Sequence, residues 1–240
     1  MNPAQPADAA APVAGPTTGC ILSFIAGYVD VVGFISLFGL FTAHVTGNFI
    51  MIGVDITGHA PGLLAKLLAL PAFVLAVAAT RLAEVRIART GRSPVAPLLL
   101  AEAVMLALFM AASLHAAPVT DPSAPAAIVA GMLAVVAMGM QNALSRTSLL
   151  DLGPTTIMTG NTTQIVVDLV DLPGASGPQR DAIRRRLRKM GPALAAFALG
   201  AILGALGFAR FSVWCMLLPT ALLVAVCVPA WRRGQVSATG

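Results

Sequence analysis

Apolar residues run along this chain in long blocks, and the blocks predict its elements. Six of them, at about 20–41, 61–82, 96–116, 126–145, 191–209 and 212–231, are long enough for helices that cross a hydrocarbon core of ~30 Å, which takes roughly 20 residues. Two further runs, near 44–56 and 157–170, fall short of that length. Each follows the same triplet, Thr46-Gly47-Asn48 in the first case and Thr159-Gly160-Asn161 in the second.

The triplets belong to a longer internal repeat. Asp55 stands seven positions after Asn48, and Asp168 seven after Asn161. Upstream, Gly27-Tyr28-Val29-Asp30 matches Gly139-Met140-Gln141-Asn142 with one residue of slippage. Downstream, Phe73-Val74-Leu75-Ala76 matches Phe197-Ala198-Leu199-Gly200. Self-similarity on this scale decides architecture. It predicts an all-α protein with two copies, about 20–116 and 126–231, inside one transmembrane domain over 20–231. An Ala/Pro/Thr-rich disordered tail is expected over 1–19 and a short polar tail over 232–240.

Composition puts these helices in a bilayer. With 58% hydrophobic and 10% charged residues and a mean hydropathy of +0.86, the chain is too apolar for a soluble domain, in which roughly a quarter of residues are charged. A net charge of +5 raises nucleic-acid binding as a thought. The bases fall between apolar blocks, however, where they set topology, so no nucleic-acid partner is expected.

One basic loop holds Arg81, Arg86, Arg89 and Arg92, and a second holds Arg180, Arg184, Arg185, Arg186, Arg188 and Lys189. Arg232 and Arg233 follow the last block. Bases are retained on the cytoplasmic side. If the run at 157–170 crossed fully, the two basic loops would face opposite sides. If it is re-entrant or broken, both lie inside, as do both termini. The expected fold is therefore six transmembrane helices plus two short re-entrant or broken helices in a 3+3 inverted repeat. Gly200-x-x-x-Gly204 predicts close helix packing, with a homo-oligomer seam as its alternative.

Polar residues inside such a protein mark candidate sites. Asp30 lies mid-span, where a charge costs roughly 2.5–3.5 kcal/mol on insertion scales, and its counterparts Gln141 and Asn142 are neutral. The expectation is one acid and one amide nearing the same midplane region, with a structural hydrogen bond as the competing account. In the triplets, Gly47 and Gly160 relieve backbone limits. Thr46, Asn48, Thr159 and Asn161 can satisfy groups freed where a helix breaks, Asn48 and Asn161 as helix caps. The glycines are expected to approach one another.

Asp55 and Asp168 close the short segments, with Gln164 on the same helical face as Asp168; the three are secondary candidates for a substrate- or ion-binding site, and the competing expectation is that the two aspartates face water. Glu102 is expected to snorkel or to pair with Arg92. His44, His59 and His115 lack metal-ligand spacing, and so do Cys20, Cys215 and Cys227. Thr18-Gly19-Cys20 is not expected to be a lipoprotein site, because residues 1–17 have neither a basic nor an apolar leader pattern. No Ser-His-Asp set, HExxH or phosphate-binding loop appears, so no catalytic residue, metal or cofactor is expected.

The Gly27–Asp30, Thr46–Asn48, Gly139–Asn142 and Thr159–Asn161 motifs resemble the signature motifs of the YoaK family, domain of unknown function 1275. The resemblance covers nearly the whole chain and implies six membrane helices in a bacterial inner membrane. It implies no substrate and no site residues. The function expected from the residues is a secondary transporter or permease for a small solute or ion, its site lying at the midplane between inverted repeats. A channel with paired re-entrant loops and a non-transporting membrane scaffold or sensor subunit are the alternatives.

Overall fold

The computed structural model describes residues 15–58 and 62–236, with side chains described to Ala230. Every regular element among them is helical. In chain order these are α1 (Pro16–Ser36), α2 (Gly47–Ile56), α3 (Leu63–Ala88), α4 (Val95–Ala116), α5 (Pro125–Arg146), α6 (Met158–Asp171), α7 (Gly177–Phe211) and α8 (Leu217–Val236). Short 3₁₀ turns at Leu150–Leu152 and Ser212–Met216 precede α6 and α8. Five stretches among the described residues are long and apolar enough to cross a membrane. They are α1, α3, α4, α5 and the 54-residue stretch Gly177–Ala230, which contains α7 and most of α8.

Helix boundaries differ from the hydropathy blocks for local reasons. α1 starts at Pro16 instead of near 20, because proline suits the first helical turn, where its missing N–H is not needed. Residues 16–19 of the expected tail are thus helical, and 1–14 lie outside the described residues. α1 also stops at Ser36, five residues before the apolar block does. Phe38 and Gly39 both take positive φ, +55° and +82°, and turn the backbone into a loop over 37–46. The basic segment before residue 191 is helical and part of α7. The expected C-terminal tail is helical as far as Val236, and 237–240 lie outside the described residues.

Packing follows the small residues. α1 lies along α7, α5 packs on α3 and α4, and α4 packs on α8. The short helices α2 and α6 pack chiefly on α3 and α7. At the α1–α7 contact the backbones meet directly. A Cβ placed on Gly27 would collide with the Phe197 carbonyl, and one on Gly200 with the Phe24 carbonyl. Gly204 faces the Tyr28 backbone, so the Gly200/Gly204 pair serves packing inside this chain. Gly139 of α5 comes equally near α3, where an added Cβ would stand 2.9 Å from Ala76 Cβ and 3.5 Å from the Phe73 carbonyl oxygen. The matched sequence motifs therefore meet crosswise, Gly27 of α1 against the Phe197–Gly200 stretch of α7 and Gly139 of α5 against the Phe73–Ala76 stretch of α3.

Candidate functional site

Each short helix is preceded by a loop, and each loop is tied down by the polar residues of the repeat. In the first copy Asp30 projects from α1 into the loop. Its Oδ1 accepts from the backbone N–H groups of Thr42 (2.8 Å) and Ala43 (2.7 Å), and its Oδ2 lies 2.7 Å from His44 Nδ1. In the second copy Asn142 Nδ2 donates to Thr156 Oγ1 at 2.7 Å. Gln141 Nε2 donates to Thr155 Oγ1 and to the Leu22 carbonyl of α1, both at 2.9 Å. The first loop is thus gathered by a carboxylate from its N–H groups, and the second by amides from its hydroxyls.

The triplet asparagines repeat one geometry. Asn48 Nδ2 donates to the Phe41 carbonyl at 2.9 Å, and Asn161 Nδ2 donates to the Pro154 carbonyl at 3.0 Å, seven residues back in both cases. Both side chains are buried, 2% exposed, in a chain where such a group needs a partner. Thr46, Thr159 and Gly160 are exposed, and Gly47 is half-buried.

Both short helices end in an ion pair. Lys66 Nζ of α3 lies 3.0 and 2.9 Å from the two Asp55 oxygens, with both side chains buried. Arg186 of α7 grips Asp168 with two nitrogens, Nε at 2.9 Å, while Gln164 Nε2 donates to Asp168 Oδ1 at 3.0 Å. Asp168 lies outside the five apolar stretches, and the Arg186 guanidinium, helped by Gln164, holds its carboxyl below the usual carboxylate range.

A family model described as protein of unknown function (DUF1275) matches residues 18–228. The chain belongs to the DUF1275 family. No curated protein and no solved structure matches it.

The geometry of this DUF1275 chain corrects several expectations. Asn48 and Asn161 do not cap helices. They stand inside the first turns of α2 and α6 and reach back to the incoming loop, while the capping positions, Thr46 and Ile157, make no side-chain cap bond. Gly47 and Gly160 do not approach one another: a Cβ on Gly47 would meet the Phe41 ring, and one on Gly160 would meet nothing within 4 Å. Asp55 and Asp168 are buried and ion-paired because each ends a helix against a base of the next long helix. Glu102 neither snorkels nor reaches Arg92, being 0% exposed, with neither carboxyl oxygen bonded. The shared Gln164–Asp168 face is as expected. Asp30 and Asn142 each serve the loop of their own copy, and it is Gln141 that crosses to the other copy, at Leu22.

Sequence reasoning missed Thr42, His44, Thr155 and Thr156 as parts of these loops, and Lys66 and Arg186 as partners of the aspartates. The signal was present: Thr42-Ala43-His44-Val45-Thr46-Gly47-Asn48 and Thr155-Thr156-Ile157-Met158-Thr159-Gly160-Asn161 share their first threonine as well as the triplet. His59 lies outside the described residues. Among the described residues no cluster of His, Cys, Asp and Glu could hold a metal ion.

Proposed function

We propose that the protein is a secondary transporter or permease for a small solute or ion, built as two inverted copies of three helices and one short broken helix. Counting α7 and α8 separately within Gly177–Ala230 gives the six long helices this architecture needs. The observation that carries the reading is the pair of matched asparagine bonds, Asn48 to Phe41 and Asn161 to Pro154, together with the crosswise glycine contacts of Gly27 and Gly139. Two copies with the same loop geometry, interlocked through their first and second long helices, are the plan on which secondary transporters place solute between repeats.

The copies differ in charge. The first carries Asp30 and a partly exposed His44, whose ring meets Phe197 of the second copy edge-on at 5.5 Å. The second has Asn142 and Ile157 at the matching places. An ionisable pair on one side and neutral groups on the other suit a proton- or cation-responsive step at Asp30. Basic segments at 81–92 and 178–189 on the cytoplasmic side of a bacterial inner membrane, with both termini inside, complete the proposal.

The second reading is a scaffold or sensor subunit. What favours it is that Asp30, Asn48, Gln141, Asn142 and Asn161 are packed on the loops and line neither of the two concave regions described: one runs along the exposed face of α6 and takes in Thr159, the other lies between the ends of α1, α4 and α7. Thermal-shift screening of the purified protein against amino acids, sugars, organic acids, nucleosides and alkali cations separates the readings, because a ligand of the folded state raises apparent stability. A stabilising compound that also enters reconstituted vesicles saturably, with a pH dependence altered by Asp30→Asn, is the expected outcome. Single-channel current steps would favour a channel, and binding without uptake would leave the sensor.

A further inference from the structure

Glu102 is the strongest unexplained feature of the interior. It stands in the second turn of α4, on the face that also carries Leu98, Leu99 and Leu106, and none of its side chain is exposed. Among the described residues neither carboxyl oxygen meets a donor. Other buried carboxyls among the described residues do: Asp30 binds backbone N–H groups and His44, Asp55 binds Lys66, Asp168 binds Arg186, and Glu84 binds Thr147 and Ser148. An ionised carboxylate without a donor or a cation costs several kcal/mol in such surroundings, and the ordinary resolution is to take up a proton.

Among the described residues its neighbours supply no charge to oppose that. α4 and α5 form a hairpin across the 117–124 connection, and Glu102 lies as far before it as Gly139 lies after it. Glu102 is therefore level with the Gly139–Asn142 motif. That level holds two more buried polar atoms without a protein partner, Gln141 Oε1 of α5 and Ser23 Oγ of α1, beside the Leu22 carbonyl that Gln141 binds. From α8, Cys227 comes within electrostatic reach of Glu102, and Cys215 lies in the turn before it. The base on α5, Arg146, is exposed at the helix end. Of the charged groups on α3, Lys66 is bound to Asp55, Glu84 to the 147–148 turn and to Arg81, and Arg86 is exposed.

We propose that Glu102 is an internal proton-binding site, a neutral carboxylic acid held between α4, α5 and α8 at the depth of the Gln141-Asn142 motif. It is distinct from the Asp30–His44 pair, and it stands whether or not the protein moves a solute.

The chain has a simple handle for testing this, since its only glutamates are Glu84 and Glu102. Protein reconstituted in lipid with ¹³C-carboxyl glutamate gives two carboxyl signals by infrared or solid-state NMR spectroscopy. At pH 8 the signal that persists in Glu84→Gln and vanishes in Glu102→Gln is expected to be that of a protonated acid. Glu102→Gln, which imitates the neutral acid in shape, is expected to match the wild-type melting temperature in acid, where the carboxyl is neutral in the folded and the unfolded chain alike, and to exceed it progressively as pH rises above the ordinary carboxylate range. An ionised carboxylate signal in Glu84→Gln at pH 8 overturns the proposal. A Glu102→Gln protein that fails to fold also overturns it, since only a charged, partnered Glu102 would be missed so badly.

Discussion

Asn48 and Phe41 exchange two hydrogen bonds: the asparagine Nδ2 donates to the Phe41 carbonyl and the Phe41 N–H donates to Asn48 Oδ1, each at 2.9 Å. The amide closes the loop onto the helix that follows it. Asn48→Ala strips both partners from the Phe41 peptide groups, at ~1–3 kcal/mol for each buried group left unsatisfied. Asn161 makes one such bond, because Pro154 has no N–H to return. Thermal denaturation in a fixed detergent is expected to show a larger loss for Asn48→Ala than for Asn161→Ala. Equal losses would mean the second bond at Asn48 contributes nothing.

The Asp55–Lys66 pair is buried on both sides, so removing one partner strands the other. Asp55→Asn is expected to cost ~3–5 kcal/mol, and Asp55→Asn combined with Lys66→Met to recover part of that loss. A double-mutant cycle checks it, with strict additivity as the outcome that contradicts the pair.

Asp168 and Arg186 respond to pH instead. Because the folded-state carboxyl is held below its ordinary range, the pair's contribution is fully present above that range. It is lost as pH falls through the depressed folded-state value. Arg186 is half-exposed, so the effect is smaller than that of the buried pair and weakens with salt. Wild-type protein is expected to lose stability on acidification more steeply than Asp168→Asn. Parallel acid titrations of the two would contradict the assignment.

Two glycines predict opposite outcomes. Gly27→Ala drives a methyl into the Phe197 backbone and is expected to destabilise the α1–α7 contact severely. Gly160→Ala in α6 meets open space and is expected to stabilise by ~0.5–1 kcal/mol. Melting temperatures of the two variants decide it.

The all-helical class with membrane-length apolar helices and the matched bonds of Asn48 and Asn161 were legible because hydropathy and the Thr-Gly-Asn recurrence are properties of the chain itself. Helix ends were less so. Leu37 to Phe41 are apolar apart from Gly39, and hydropathy reports which residues avoid water, not that Phe38 and Gly39 turn the backbone there. Lys66 was hidden inside an apolar block, where a lone base reads as an interruption, and its partner Asp55 read as a surface acid. The roles of Asn48 and Asn161 turned on direction. An asparagine near a helix start can cap that helix or hold the preceding loop, and only the position of the Phe41 and Pro154 carbonyls distinguishes the two. Gln141 and Asn142 were recognised as polar and matched to Asp30. Their partners Thr155 and Thr156 lay just beyond the motif and went unread.

Single-cysteine accessibility tests the inverted architecture most directly. With Cys20, Cys215 and Cys227 replaced, one cysteine is placed at Arg89 in the α3–α4 connection and, in a separate protein, one at Arg185 in the basic part of α7. Each is challenged with a membrane-impermeant thiol reagent in oriented vesicles. Two inverted copies with broken short helices predict that both sites react from the same, cytoplasmic side. Reaction from opposite sides would contradict the account.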